Sequence, residues 1–267
     1  MSFSLVPGFN QRYPLDREND PAVMQDSTEL RHSRPDRDSL PVEQRHSRPD
    51  DDRHSRLDRE SYLVESCCTS LDEALAAQSR GAGRIELCTD LSVGGLTPPR
   101  DLICSVISSL TIPVNVLIRP ACHSASDFVY DEAELNQMIE DIEYCKSVGA
   151  AGIVIGALTP EGAIDLPAMR RLIAAARPLP VTFHRAFDVC TDDPFTALDK
   201  IIALGCTRLL SSGQAPTAWD GRSVLTLLVR RAGPRLIVMP GCGITPDNLP
   251  AIAATTHARE FHGTRIP

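Results

Sequence analysis

The chain has 267 residues, 42% of them hydrophobic, and a formal net charge of -8. That length and apolar fraction supply a globular core, while the acidic balance argues against a general nucleic-acid binder, whose affinity rests on clustered Lys and Arg facing phosphates. No window approaches the roughly 18 consecutive apolar residues of a membrane span, and the N-terminus lacks the basic-then-apolar pattern of an export signal, so the expected compartment is the cytoplasm, with no membrane and no nucleic-acid partner. A phosphate-bearing small molecule stays compatible with this charge. The nine cysteines are odd in number and scattered through apolar segments, the pattern of reduced thiols that act mostly as small core hydrophobes.

Residues 1–60 stand apart. RHSRPD occurs at 31–36 and 45–50 and returns as RHSRLD at 53–58. Large apolar residues are sparse there and both signs of charge are dense, so the segment buries too little surface to offset its ordering entropy and is expected to be a disordered polar tail. Its histidines His32, His46 and His54 offer weak metal binding at most, against the plainer reading of a solvated tail.

From 61 to 267 a regular alternation follows. Strand-like runs are YLVES (62–66), RIELC (84–88), VNVLIR (114–119), GIVIG (152–156), VTFHR (181–185), TRLLSS (207–212), RLIVMP (235–240) and REFHG (259–263). Helix-like stretches lie between them, among them 70–82, 131–150, 166–177 and 193–205, several with i, i+3, i+4 apolar spacing and a Gly just past the end. Eight strands with seven intervening helical segments is the count of a TIM (β/α)8 barrel. The competing architecture is a doubly wound open sheet, which usually opens on a Gly-rich turn that VES lacks. The chain stops at Pro267, shortly past the eighth strand, so the final helix of a complete outer ring is not expected. An open ring would leave apolar flanks in need of a partner.

Barrels place their chemistry at the carboxyl ends of the strands. Those ends carry Glu65 and Cys67, Glu86 and Cys88, Arg119, His184 and Arg185, Ser211 and Ser212, and His262. Period-two alternation puts Glu65 with Cys67, and Glu86 with Cys88, on one face of neighbouring strands about 4.8 Å apart. Two carboxylates, two arginines and two histidines at one rim are expensive as mere structure, because each buried charge needs a partner. A functional pocket is therefore expected, with Glu65, Glu86, Arg119, His184, Arg185 and His262 as its candidate catalytic groups. After strand seven, MPGCGIT (239–245) places Gly241 and Gly243 before a helix expected to start at Thr245 or Pro246. That is an arrangement for an anion, or else a tight turn with no ligand.

RIELC, GGLTP (94–98), LIRP (117–120), LTPEGAID (158–165), PLPVTFHRAFD (178–188), SGQ (212–214), MPGCGIT and the terminal REFH resemble, in that order, the CutC family, described as copper homeostasis proteins. The resemblance covers essentially all of residues 62–265. It implies a TIM barrel, a cytoplasmic location, copper(I) binding and, often, a homo-oligomer. It also implies that Cys67 and Cys88 are the copper ligands; paired thiolates are soft ligands suited to Cu(I), whereas tetrahedral zinc would recruit His184 or His262 as well. The chain departs from the family pattern where a basic, Gly-rich loop is replaced by ACHSAS (121–126), which loses an arginine and gains Cys122 and His123. It departs again at Gly241-Cys242-Gly243, where the family has three glycines, and in ending soon after E-F-H.

Two functions follow from these residues. One is a copper-binding homeostasis protein with Cys67 and Cys88 as ligands and Cys68 on the opposite face. The other is a barrel enzyme of isomerase, lyase or hydrolase type, with His184 or Glu86 as general acid or base and Arg119 and Arg185 holding a small anionic metabolite.

Overall fold

The computed structural model describes residues 62–120, 127–264 and 266. The tail with His32, His46 and His54, and the loop carrying Cys122 and His123, lie outside the described residues. Eight strands run parallel: β1 (Leu63–Cys68), β2 (Arg84–Leu87), β3 (Val114–Leu117), β4 (Gly152–Ile155), β5 (Val181–Phe183), β6 (Arg208–Ser211), β7 (Ile237–Pro240) and β8 (Glu260–Gly263). Each pairs with its sequence neighbour from β1 to β7, and β8 pairs with β1, Glu65 lying opposite His262. Among the described residues no backbone ladder joins β7 to β8, although the two strands pack side by side.

Side chains show that the sheet curls into a barrel. The Arg84 guanidinium on β2 reaches Met239 Sδ on β7 at 3.4 Å, yet those strands are five ladder steps apart, roughly 24 Å in a flat sheet. The doubly wound alternative is thereby excluded.

Between the strands lie α1 (Leu71–Ser79), α2 (Arg100–Ser109), α3 (Glu132–Ser147), α4 (Leu166–Ala176), a single turn α5 (Ala186–Val189), α6 (Pro194–Leu204), α7 (Arg222–Ala232) and α8 (Leu249–Thr256). Their ends follow local chemistry. Asp131 accepts from the Glu134 N–H while Glu134 accepts from the Asp131 N–H, a capping box that starts α3. The Asp193 carboxylate caps Phe195 and Thr196 ahead of Pro194, and Gly205 at φ +83° ends α6. Two boundaries differ from the sequence expectation. β5 ends at Phe183, and His184 and Arg185 turn straight into α5. The helix after β7 begins at Leu249 and not at Thr245 or Pro246, because the Asn248 side chain accepts from the Thr245 N–H at 2.9 Å and donates to the Gly243 carbonyl at 2.9 Å, which holds this stretch in a turn.

The outward faces of the strands, such as Ile85, Leu87, Ile153, Ile155 and Phe183, share one apolar cluster with the helix residues Leu172, Leu198 and Ile201. Burial of each such side chain contributes about 1.5–3 kcal/mol. Facing Phe261 on β8 is the Tyr62 ring, edge-on at 5.3 Å.

The inward faces are different. Barrel interiors are usually layers of Val, Ile and Leu, whereas this one holds Glu65, Arg84, Glu86, Asn115 and Glu260, all buried. Gly152 makes room for this layer, since a Cβ there would lie 2.5 Å from Asn115 Oδ1.

Candidate metal centre at the barrel mouth

Glu65 is the hub of the interior. Its Oε2 accepts from Arg84 Nε and from Asn115 Nδ2 at 3.1 Å, and its Oε1 meets His262 Nδ1 at 2.9 Å. Arg84 also donates to Glu260 Oε2 at 2.6 Å, which Arg208 holds from the other side at 2.7 Å. Burial alone would raise the Glu65 carboxyl. The hydrogen bond and charge of His262, with Arg84 beside them, outweigh it and bring the group down to about 2.

Glu86 has the same degree of burial and less support. Its Oε2 lies 3.7 Å from His262 Nδ1, inside ion-pair range but outside hydrogen-bond range, and makes no hydrogen bond. Burial pushes this carboxyl up to about 7, and the Glu65 charge adds to that against the pull of His262 and Arg84. His262 itself is pushed down by burial and pulled up by Glu86 and Glu65, with the net direction upward. A buried acceptor without a hydrogen bond costs about 1–3 kcal/mol, so Glu86 is poised to take up a proton or a cation.

Above this pair sit the thiols. Cys67 and Cys88 sulfurs are 3.4 Å apart, and they form a small cluster with Leu117 and Val154. The hydrogen bond with Cys88, then burial, then the Glu86 charge push the Cys67 thiol well above its ordinary range. Donor atoms of Cys67, Glu86 and His262 all lie within 4.8 Å of one another. β1, β2 and β8 are consecutive in the ladder, with Cys67 opposite Glu86 and Glu65 opposite His262, so period-two alternation turns all of these side chains inward together. Cys68 points the other way, into the outer core.

The remaining candidates form two further groups. The Arg119 guanidinium donates to the carbonyls of Val93 at 2.8 Å, Gly95 at 3.1 Å and Asp127 at 3.1 Å, and lies 4.5 Å over the Phe128 ring. It thus pins the loops after β2 and β3. His184 packs against the same ring, 4.8 Å from Phe128, and its Nδ1 accepts from the Ala186 N–H at 3.2 Å. Burial, then the Arg119 charge, lower this imidazole to about 3, which keeps it neutral. Gly156 provides its seat, because a Cβ there would come within 2.6 Å of the ring.

Arg185 belongs to the third group. It pairs with Asp188 at 2.9 Å, and Asp188 also accepts from the Ser211 hydroxyl at 2.7 Å and from the backbone N–H groups of Ser212 and Gln214. This buried carboxylate therefore shapes the loop after β6. In the neighbouring turn, Cys242 and Gly243 adopt φ +78° and +73°, and a Cβ on Gly241 would strike Leu210 at 2.4 Å.

Sequence reasoning at the strand ends did not reach Arg84, Asn115, Arg208 and Glu260. The signal was the same parity, since Arg84 alternates with Glu86 and Glu260 with His262.

Among the described residues no helix is long and apolar enough to cross a membrane. The sequence profile described as the CutC family matches residues 62–267. The family protein CutC of Parabacteroides distasonis is 48% identical over 202 residues, covering 75% of this chain and 81% of that protein. Its counterpart from Histophilus somni is 45% identical over 199 residues, covering 74% and 80%. A crystal structure of CutC from Streptococcus agalactiae, whose name carries the words copper homeostasis, is 34% identical with a TM-score of 0.73, covering 77% of this chain and 100% of that one. A 2,3-dimethylmalate lyase at 14% identity and TM-score 0.56, covering 79% of this chain and 80% of its own, shares the fold alone. With its profile match spanning the whole barrel and relatives near half identical, the chain belongs to the CutC family.

Proposed function

We propose that the barrel mouth binds copper(I) through Cys67 and Cys88 and that the chain serves copper homeostasis in the cytoplasm. The observation that carries this reading is the pair of buried sulfurs 3.4 Å apart on adjacent strand ends, beside a buried carboxylate oxygen that makes no hydrogen bond. Soft thiolates suit Cu(I), and the copper homeostasis name of the Streptococcus agalactiae relative supports the choice of cargo. Cys67 and Cys88 hold the ion, while Glu65 and Arg84 fix the walls below it.

The test is competition for Cu(I) against a chromophoric chelator under reducing conditions. The wild-type chain takes up one ion, and Cys67→Ser with Cys88→Ser abolishes uptake. Because the Cys67 thiol, held well above its ordinary range, must lose its proton, affinity rises with pH by about tenfold per unit. Undiminished uptake by the double variant, or affinity independent of pH, refutes the assignment.

A second reading has its own observation. Glu86, near 7 and free of hydrogen bonds, has the properties of a general acid or base at neutral pH. In that reading the chain is a barrel enzyme acting on a small anionic metabolite, with the half-exposed Arg185 contributing charge at the rim and neutral His184 donating a hydrogen bond. A thermal-shift screen of carboxylated and phosphorylated metabolites separates the two. The enzyme reading requires a stabilising anion whose effect is lost in His184→Ala or Arg185→Ala, and a flat response across the library removes it.

A further inference from the structure

We infer that the mouth is a four-donor site, Cys67, Cys88, Glu86 and His262, built for a tetrahedral divalent ion of the zinc class. The inference rests on the reading that the mouth holds metal at Cys67 and Cys88; it adds Glu86 and His262 to that pair and exchanges the monovalent ion for a divalent one.

The sulfur separation is the first argument. A two-coordinate ion placed linearly between two sulfurs, with bonds near 2.3 Å, needs them about 4.6 Å apart, whereas a tetrahedral ion needs about 3.8 Å. The observed 3.4 Å lies close to the tetrahedral edge and more than an ångström short of the linear one. Two sulfurs at this spacing span only about a right angle at an ion bonded to both, and leave its far side open.

The second argument is what faces that open side. Glu86 Oε2 is buried without a hydrogen bond, and donor atoms of Cys67, Glu86 and His262 lie within 4.8 Å of one another, so a contraction of roughly an ångström closes these three around an ion, with Cys88 joining them through its sulfur 3.4 Å from that of Cys67. His262 is already oriented by Glu65, with 2.9 Å between Nδ1 and Oε1. That is the carboxylate–histidine arrangement which fixes an imidazole for a metal on its other nitrogen.

Charge is the third. Two thiolates and one carboxylate leave a residual charge of about -2 around a monovalent ion and about -1 around a divalent one, and the smaller buried charge is the less costly. Neighbouring Glu65, Arg84, Glu260 and Arg208 supply two charges of each sign and shift the balance neither way. Mixed sulfur, nitrogen and oxygen donors in a tetrahedron are the zinc set.

The experiment loads the full, reduced chain with Zn2+ and, as a spectroscopic probe, Co2+, alongside the Cu(I) competition. One equivalent of Co2+ is expected to give the intense visible bands of a tetrahedral site together with thiolate charge transfer. Glu86→Gln, which keeps shape and removes charge, is expected to weaken Zn2+ by roughly tenfold or more. His262→Gln is expected to shift the Co2+ bands, with the fold of both variants checked by thermal melting. Cu(I) uptake with only the weak spectrum of octahedral Co2+, or tetrahedral bands that survive Glu86→Gln and His262→Gln unchanged, overturns this inference and leaves the copper reading standing. Failure of every ion overturns both.

Discussion

Replacing Arg84 with methionine is expected to destabilise the barrel by about 3–5 kcal/mol, the cost of breaking a buried ionic network from one side. Arg84 is 4% exposed, and its guanidinium is divided between Glu65 and Glu260. Without it two carboxylates face each other in the lumen, and only Asn115, His262 and Arg208 remain to compensate. Urea denaturation measures the loss. The control is Arg84→Met combined with Glu65→Gln, which removes one of the stranded charges and is expected to recover a substantial part of the stability. A loss below about 1 kcal/mol in the single variant, the worth of an exposed pair, would mean that water reaches the lumen.

The second large effect is a pair of opposed titrations. His184 has its folded value lowered from 6.5 to about 3. Between those values the unfolded chain binds a proton that the folded chain refuses, so its contribution to stability is lost as pH falls below 6.5. Glu86 has its folded value raised from 4.5 to about 7. Between those values the folded chain holds a proton that the unfolded chain releases, so stability is present below 4.5 and lost as pH rises through about 7. Each slope is about 1.4 kcal/mol per pH unit. From pH 5 to 6.5 the two cancel, and the wild-type profile is expected to be nearly flat. Glu86→Gln removes one arm, so stability falls by about 2 kcal/mol on acidification across that window. His184→Asn, which keeps an acceptor for the Ala186 N–H, removes the other arm, so stability rises by about as much. Denaturation midpoints at pH 5 and 6.5 for the three proteins check both signs. Parallel profiles would show that neither group sits as the structure places it.

The barrel was legible because parallel strands buried on both faces read as short apolar runs, and because helix signals fell between all eight of them. The convergence of Glu65, Cys67, Glu86, Cys88 and His262 was legible for a related reason: alternation fixes which side chains share a face, and β8, β1 and β2 are consecutive in the ladder. What could not be read was depth. Arg84 and Glu260 lie at the beginnings of their strands, where barrels usually hold packing residues, and only the register of the closed sheet brings them beneath Glu65. Nor does a sequence say that Arg119 spends its guanidinium on three carbonyls, since those carbonyls belong to loops whose paths depend on the assembled barrel. The α8 start moved for a local reason, the exchange between Thr245 and Asn248, which competes with helix nucleation and leaves no trace in apolar periodicity.

Among the described residues the join between β7 and β8 lacks a backbone ladder and is held by side chains. Cys67, Glu86, Cys88 and His262 all stand on the same flank, tied to one another through the ladders of β2, β1 and β8. A thermal gape at that join stretches the links from Arg84 to Met239 and from Arg208 to Glu260, and it leaves the donor cluster travelling as one block. Amide exchange along β7 and β8 ahead of the other strands is the expected sign of such a gape.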